Sequence, residues 1–146
     1  MRSRRSIKIE ERKRTARPRA NDLSARQAAA KVVQIAEARQ ASDIVVLSLK
    51  RVSSIADYFV ICSGNSNTHM RTLAEHIEKG FAESGISLLN PRGFRNSRWI
   101  LLDFGSTVVH IFSEDARSYY QLERVWSDAA RESAADLAAL SAAASS

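Results

Sequence analysis

The segment Asn96–Trp126, NSRWILLDFGSTVVHIFSEDARSYYQLERVW, contains both tryptophans of the chain and its clearest β-hairpin signal. Two extended runs, Arg98–Phe104 and Thr107–Ser113, are joined by Gly105-Ser106. Glycine at the first of two turn positions suits a primed turn, whose twist matches that of the flanking strands. This turn determines which residues face each other across the hairpin. The expected pairs are Phe104 with Thr107, Leu102 with Val109, and Ile100 with Ile111.

One face of this hairpin is apolar apart from Thr107, because side chains alternate between the two faces of a strand. We expect that face in the core. The other face carries Trp99, Leu101, Asp103, His110 and Phe112. Large aromatic side chains among a few polar groups are typical of a protein-binding patch. The residues leave an alternative open, in which a helix simply covers this face, as in many α/β sheets.

The composition indicates one domain, since 146 residues can bury a sizeable core. A single cysteine excludes an internal disulfide and favours a reducing, cytoplasmic setting. No apolar run approaches the length of a bilayer-spanning helix, so a membrane protein is not expected.

Most of the net charge of +6 lies at the N-terminus. Residues 1–19 hold nine Lys or Arg and two acidic residues, whereas residues 20–146 hold thirteen and fourteen. We therefore expect a basic, disordered arm at residues 1–21, a domain at 22–131 and an Ala/Ser-rich tail at 132–146. Such an arm can contact phosphate backbones, including ribosomal RNA, or can be a solvated leader without a role.

Hydrophobic periodicity and capping residues predict the other elements. Ser24 and Gln27 have the spacing of a capping box at the start of a helix. The expected helices are Ala25–Gln40, Thr68–Ser84 and Glu114–Arg131; the expected strands are Asp43–Leu49, Asp57–Ser63 and a short Ile86–Leu89, followed by a turn at Asn90–Gly93. The short connection between the first two strands favours an antiparallel pair. This order predicts an α/β (α+β) domain with a mixed β-sheet flanked by helices.

The segment CSGNSN, Cys62–Asn67, is the one most like part of an enzyme, because a strand leads through Gly and Ser into a helix N-terminus. Nucleotidyltransferases combine such a turn with two carboxylates that hold Mg²⁺. No Asp-x-Asp follows here, and we expect Asp43 and Asp57, at the starts of strands, to lie away from the turn. A nucleotide-binding or nucleotidyltransferase-like enzyme using Gly64–Ser66 is therefore the alternative rather than the leading hypothesis.

No other residues suggest catalysis, a cofactor or a metal site. His69 and His76 are seven residues apart, which is too far for two ligands on adjacent helical turns, and His110 lies on another element. Cys62 lies within an apolar strand and is expected to be an inert, buried thiol.

Several motifs together resemble the ribosomal silencing factor family, also called the Iojap family. They are SDIVVL at 42–47, ADYFVICSGNS at 56–66, WILLDFG at 99–105, VVHIF at 108–112, and R-x-Y-Y-x-L-E-x-V-W at 117–126. The resemblance covers roughly Ala28–Asp128, and its specificity lies in the combination, order and spacing of the motifs. Two departures lie near loops and affect local electrostatics rather than the fold: Ser48 stands where many relatives have Asp, and Arg92-Gly93 where they have Glu-Gly.

The resemblance implies a non-enzymatic translation factor that binds the large ribosomal subunit through ribosomal protein uL14. It would block joining of the small subunit by steric hindrance when nutrients are limiting, and a role in late large-subunit assembly is also implied. The family fold has a nucleotidyltransferase-like topology without the catalytic carboxylates.

The resemblance also implies a partner-binding surface on the mixed face of the hairpin. It maps onto Trp99, Leu101, Asp103, His110 and Phe112, with Tyr120 and Leu122 at its border. We expect Trp99 and Phe112 to be the apolar anchor and Asp103 to pair with a basic group of the partner. Because large open apolar patches favour self-association, a homodimer is a further alternative.

Overall fold

A computed structural model of the chain describes residues 24–96 and 98–145, so the basic arm at residues 1–21 lies outside the described residues. Within them the chain forms five helices and six strands. In chain order these are α1 (Ala25–Ala38), β1 (Ser42–Ser48), β2 (Tyr58–Gly64), α2 (Asn67–Glu83), β3 (Gly93–Asn96), β4 (Trp99–Asp103), β5 (Thr107–Ser113), α3 (Glu114–Tyr120), α4 (Leu122–Val125), β6 (Ala130–Glu132) and α5 (Ala134–Ser145).

The strands form one mixed sheet in the order β3-β4-β5-β2-β1-β6. The central strands β2 and β5 are parallel, with Tyr58 opposite Thr107 and Gly64 opposite Ser113. All other neighbouring pairs are antiparallel, including β1 and β2. The expected mixed sheet and the antiparallel β1–β2 pair are therefore confirmed.

The central hairpin has the register expected from its turn. Ile100 lies opposite Ile111 and Leu102 opposite Val109. The amide of Phe104 donates to the carbonyl of Thr107 at 3.0 Å, and Gly105 adopts φ 93°, a conformation that a primed turn requires at its first position.

Each face of the sheet is covered by its own apolar cluster. The apolar hairpin face packs against α1 and α2, and Phe104 contacts Phe81 of α2 at 4.2 Å between ring centroids. The other face packs against α3 and α4, including Leu122, and against Trp126, which follows α4. Helix α1 begins with the expected capping box, since the Ser24 and Gln27 side chains each accept from the other residue's amide.

The structure divides the expected helix Glu114–Arg131 into two short helices and a strand. Helix α3 ends where Gln121 adopts left-handed backbone angles (φ 48°, ψ 52°), and α4 ends at Val125. The chain then turns back so that β6 pairs with the edge of β1, with Ala130 opposite Ser48. Because this pairing supplies hydrogen bonds to an otherwise open strand edge, it competes with continuing the helix.

Two further expectations are wrong. No strand forms at Ile86–Leu89, where the amide of Leu89 donates one hydrogen bond to the carbonyl of Asp103. The edge strand forms instead at Gly93–Asn96, which overlaps the expected turn.

The segment after residue 131 neither extends the preceding helix nor forms a separate tail. It forms helix α5 against α1, and Leu137 is fully buried in the core, so this segment is part of the fold.

Candidate partner-binding surface

The mixed face of the hairpin forms a layer of contacting rings. Trp99 and Phe112 lie opposite each other on β4 and β5, with ring centroids 4.8 Å apart. The indole Nε1–H of Trp99 donates to Nδ1 of His110 at 3.2 Å. His110 in turn contacts Phe59 of β2 edge to face at 4.6 Å. The residues assigned to this face therefore do come together.

This face is not open, however, because helices α3 and α4 cover it. Trp99 is 8% exposed, His110 4% and Phe112 0%. Tyr120 packs on Trp99 at 4.9 Å, and Leu122 is buried in the same cluster. The expectation of an exposed Trp99 face is wrong, and the alternative of a helical cover is right for most of it.

Asp103 has a structural role that the sequence analysis did not assign. Its side chain is buried, and Oδ1 accepts from the amide of Gly105 at 2.8 Å. The carboxylate therefore stabilises the hairpin turn, and its burial argues against the expected pairing with a basic group of a partner.

The accessible part of the surface is its rim. Tyr119 is 80% exposed, and its ring contacts that of Tyr120 edge to face at 5.0 Å. Leu101 is half-buried and lies opposite Gly93 of β3, which has no side chain to cover it. The expected continuous helix Glu114–Arg131 did not identify Tyr119 as exposed. The Tyr-Tyr pair was the available signal, because adjacent helical residues cannot both face the sheet.

A second feature missed by the sequence analysis is the clamp formed by Arg117. Its Nε and Nη2 donate to Oε2 of Glu123 at 3.1 and 3.0 Å, across the break at Gln121. Its Nη1 donates to Oγ of Ser63 at the end of β2, at 2.9 Å. Burial is the largest single influence and by itself would raise the pKa of Glu123. The hydrogen bond from Arg117, a backbone hydrogen bond and the charges of Arg117 and Arg131 together outweigh burial and lower that pKa below its ordinary value. The clamp thus ties α3, α4 and the sheet together.

The Gly64–Ser66 turn is filled by side chains of the protein itself. Ser66 caps α2 by accepting from the amide of His69, and the Nδ1 of His69 accepts from the amide of Asn65 at 2.9 Å. A Cβ on Gly64 would lie 2.8 Å from Cγ of Met70, so close packing accounts for this glycine.

The expected positions of the two aspartates need one correction. Because β1 runs antiparallel to β2, Ser42 pairs with Ser63, and Asp43 lies near the turn rather than away from it. Asp57 lies at the opposite end of β2, beside Ser106. The structure therefore places one of the two aspartates, not both, near Gly64.

Cys62 is fully buried, and its burial raises the pKa of the thiol to about 12. Residues 24–96 and 98–145 contain no group of three or more His, Cys, Asp or Glu side chains that could hold a metal ion. None of the helices in the described part of the chain is long and apolar enough to cross a membrane.

Comparison with known proteins adds independent information. Residues 22–146 match the family model described as ribosomal silencing factor during starvation. Ribosomal silencing factors from Bacillus subtilis and Halalkalibacterium halodurans are 44% and 40% identical to this chain. The first match covers 62% of this chain and 77% of the relative, and the second covers 66% and 83%.

Solved structures agree with the fold. A crystal structure of a Bacillus halodurans protein, 37% identical, superimposes with a TM-score of 0.57 over 68% of this chain and 90% of that chain. A Chromobacterium violaceum protein with 24% identity gives a TM-score of 0.68 over 72% and 88% of the two chains, and shows the same fold. The chain belongs to the ribosomal silencing factor family, as its motifs indicated.

Proposed function

We propose that this protein is a ribosomal silencing factor that binds the large ribosomal subunit through ribosomal protein uL14. Bound there, it blocks joining of the small subunit by steric hindrance and represses translation when nutrients are limiting. Membership of a family of ribosome-associated regulators supports the silencing role. A mouse relative with 29% identity is named for assembly of the mitochondrial large ribosomal subunit, which supports a further role in assembly.

The observation that carries the docking proposal is the series of rings that runs from the core to the surface. It begins at the fully buried Phe112, continues through Trp99 and Tyr120, and ends at Tyr119, which is 80% exposed. Exposed aromatic side chains on a rigid support are typical binding hot spots. We therefore place the contact with uL14 on the rim formed by Tyr119, Tyr120 and Leu101.

The buried residues of the site act as its support. Trp99 and Phe112 hold Tyr120 in place through ring contacts, and the ring of His110 contacts both of them. Leu122 anchors α4 against the same cluster. Asp103 fixes the turn at the end of β4. Their substitution would change docking by changing the shape of the rim, whereas substitution at the rim removes the contact itself.

Cosedimentation with purified large subunits tests this proposal. The test variant is Leu101→Glu combined with Tyr119→Ser. The matched control is Leu88→Glu, because Leu88 is also a half-buried leucine but packs with the opposite apolar cluster. We expect the test variant to bind at least about tenfold more weakly, as for loss of interface anchors, and the control to bind like wild type. Thermal unfolding confirms that both variants are folded.

If the folded test variant binds large subunits as tightly as the wild-type protein, the rim is not the docking surface. Blocking is measured separately, by the yield of joined ribosomes when purified small and large subunits are mixed. The wild-type protein should lower this yield and the test variant should not. Binding of the wild-type protein without any change in yield would refute steric blocking while leaving the docking surface intact.

The basic arm at residues 1–21 would add a second contact, with ribosomal RNA near the docking site. Its excess of arginine and lysine supports this role, since cations that neutralise phosphates release counterions on binding. That contribution should weaken with salt, unlike the contact made by an apolar rim.

A further inference from the structure

A cavity of about 480 Å³ opens between the α3–α4 segment and the edge formed by β1 and β6, and it is separate from the proposed rim. Its apolar lining includes Leu47 of β1 and Trp126, which are 1% and 2% exposed. Its polar lining includes the hydroxyls of Ser118 and Ser127, both on exposed residues. Leu47 and Trp126 therefore form a buried apolar wall, and the two hydroxyls are hydrogen-bonding groups that a small ligand can reach.

The lining of this cavity is strongly basic compared with the rest of the domain. It holds Arg117, Arg124 and Arg131 but a single carboxylate, that of Glu123. Asp128 is exposed on the neighbouring turn and is not part of the lining. Since residues 20–146 as a whole hold nearly equal numbers of basic and acidic side chains, this cavity is a local concentration of positive charge.

The three arginines are not equivalent. Arg117 already donates to Glu123 and Ser63, as described above. Arg124 donates through Nη1 to the neutral amide oxygen of Gln121 at 3.0 Å. The side chain of Arg131 makes no hydrogen bond or ion pair with a described residue, although its charge helps to lower the pKa of Glu123. Arg124 and Arg131 therefore keep guanidinium donors that the described residues do not use.

We propose that this cavity binds a phosphate-bearing ligand, with Arg124 and Arg131 donating to its phosphoryl oxygens. The planar, always-charged guanidinium group matches phosphate geometry and binds it through paired, charge-assisted hydrogen bonds. Ser118 and Ser127 are additional donors in the lining, and the buried Trp126 forms part of its apolar wall. This chemistry is shared by a free nucleoside diphosphate and by the backbone of an RNA strand.

Isothermal titration calorimetry on the full chain tests the site and distinguishes the two sources. The probes are ADP, sodium pyrophosphate and a short oligouridylate, all at one ionic strength. The test variant is Arg124→Gln with Arg131→Gln. The matched control is Arg51→Gln with Arg71→Gln, which removes the same charge from two exposed arginines elsewhere. The arm at residues 1–21 is present in both, so its contribution is the same.

We expect saturable binding to wild type that is at least about tenfold weaker in the test variant and changed less than twofold in the control. Binding of ADP or pyrophosphate would identify a free diphosphate group as the ligand, and tighter binding of ADP than of pyrophosphate would identify a nucleoside diphosphate. Binding of oligouridylate alone would identify an RNA backbone. Nuclear magnetic resonance localises the site, because the indole signal of Trp126 should shift on binding while that of Trp99 should not.

Equal weakening in both double variants would overturn the proposal, since it would show non-specific attraction to positive charge. Absence of saturable binding for all three probes would also overturn it, as would a shift confined to Trp99. None of these results bears on docking to the large subunit, which uses other residues and is measured by cosedimentation.

Discussion

The Arg117 clamp is expected to make a large contribution to stability for a single polar side chain. Arg117→Met keeps most of the aliphatic stem but removes three hydrogen bonds, two to Glu123 and one to Ser63. The Arg117 side chain is 10% exposed and that of Glu123 21% exposed. The substitution therefore leaves a largely enclosed carboxylate without its charged donor.

Hydrogen bonds to charged groups contribute about 1.5–3 kcal/mol each, and breaking a fully buried ion pair costs about 3–5 kcal/mol. Because water can partly reach Glu123, we expect a loss of about 2–3 kcal/mol in the free energy of unfolding. With a urea m value of about 2 kcal/mol per molar, the unfolding midpoint should fall by about 1–1.5 M. Arg124→Met is the control, since Arg124 is exposed and its loss should change stability by less than about 0.5 kcal/mol.

The pH dependence gives an independent test of the same clamp. The folded state lowers the pKa of Glu123 below the ordinary value of 4.5. The stabilisation is therefore present above about pH 4.5 and is lost as the pH falls through the lower, folded pKa. The difference in the free energy of unfolding between wild type and Arg117→Met should have its largest value at pH 7 and should become smaller below pH 4.5. Two results would refute this reasoning. One is a loss in the free energy of unfolding under about 0.5 kcal/mol at pH 7; the other is a difference between the two proteins that stays the same in acid.

Three further substitutions or truncations test other parts of the structure. Leu137→Ala should lower the free energy of unfolding by about 2–4 kcal/mol because Leu137 is fully buried, whereas a change below 1 kcal/mol in urea titrations would show that α5 is not part of the core. Gln121→Gly should raise the thermal midpoint, with a gain of about 0.5–1 kcal/mol, since glycine adopts positive φ without strain; a lower midpoint would contradict the left-handed helix break. Removal of residues 1–19 should flatten the dependence of large-subunit affinity on salt, measured by cosedimentation over a salt series, and an unchanged slope would exclude a role for the arm in binding RNA.

The central hairpin could be predicted from sequence because the information that specifies it is local. A two-residue turn beginning with Gly105 sets the register, and the two-residue period of a strand then assigns every side chain to a face. The capping box of α1 and the boundaries of α2 are local in the same sense. The motifs that indicated the family are also read directly from the chain, and the family match confirms them.

The candidate surface shows where this local information ends. Sequence alone identified the residues that come together around Trp99, but not which of them reach solvent. Their exposure depends on α3 and α4 packing over the hairpin, and on the clamp between Arg117, Glu123 and Ser63. These contacts join residues whose sequence separation carries no periodic signal.

The same reason explains the other differences. The pattern after Ser113 is compatible with one long helix. Residues Ala130–Glu132 form strand β6 instead, because they pair with the open edge of β1, more than eighty residues earlier in the chain. Likewise, Asp43 lies near Gly64 only because β1 and β2 are antiparallel and pair Ser42 with Ser63. The sequence by itself determined the hairpin, its two faces and the family. The tertiary structure decided which face is covered, where the expected helix Glu114–Arg131 is interrupted and which arginines surround the cavity. Each of these depends on contacts between segments that are distant in the sequence.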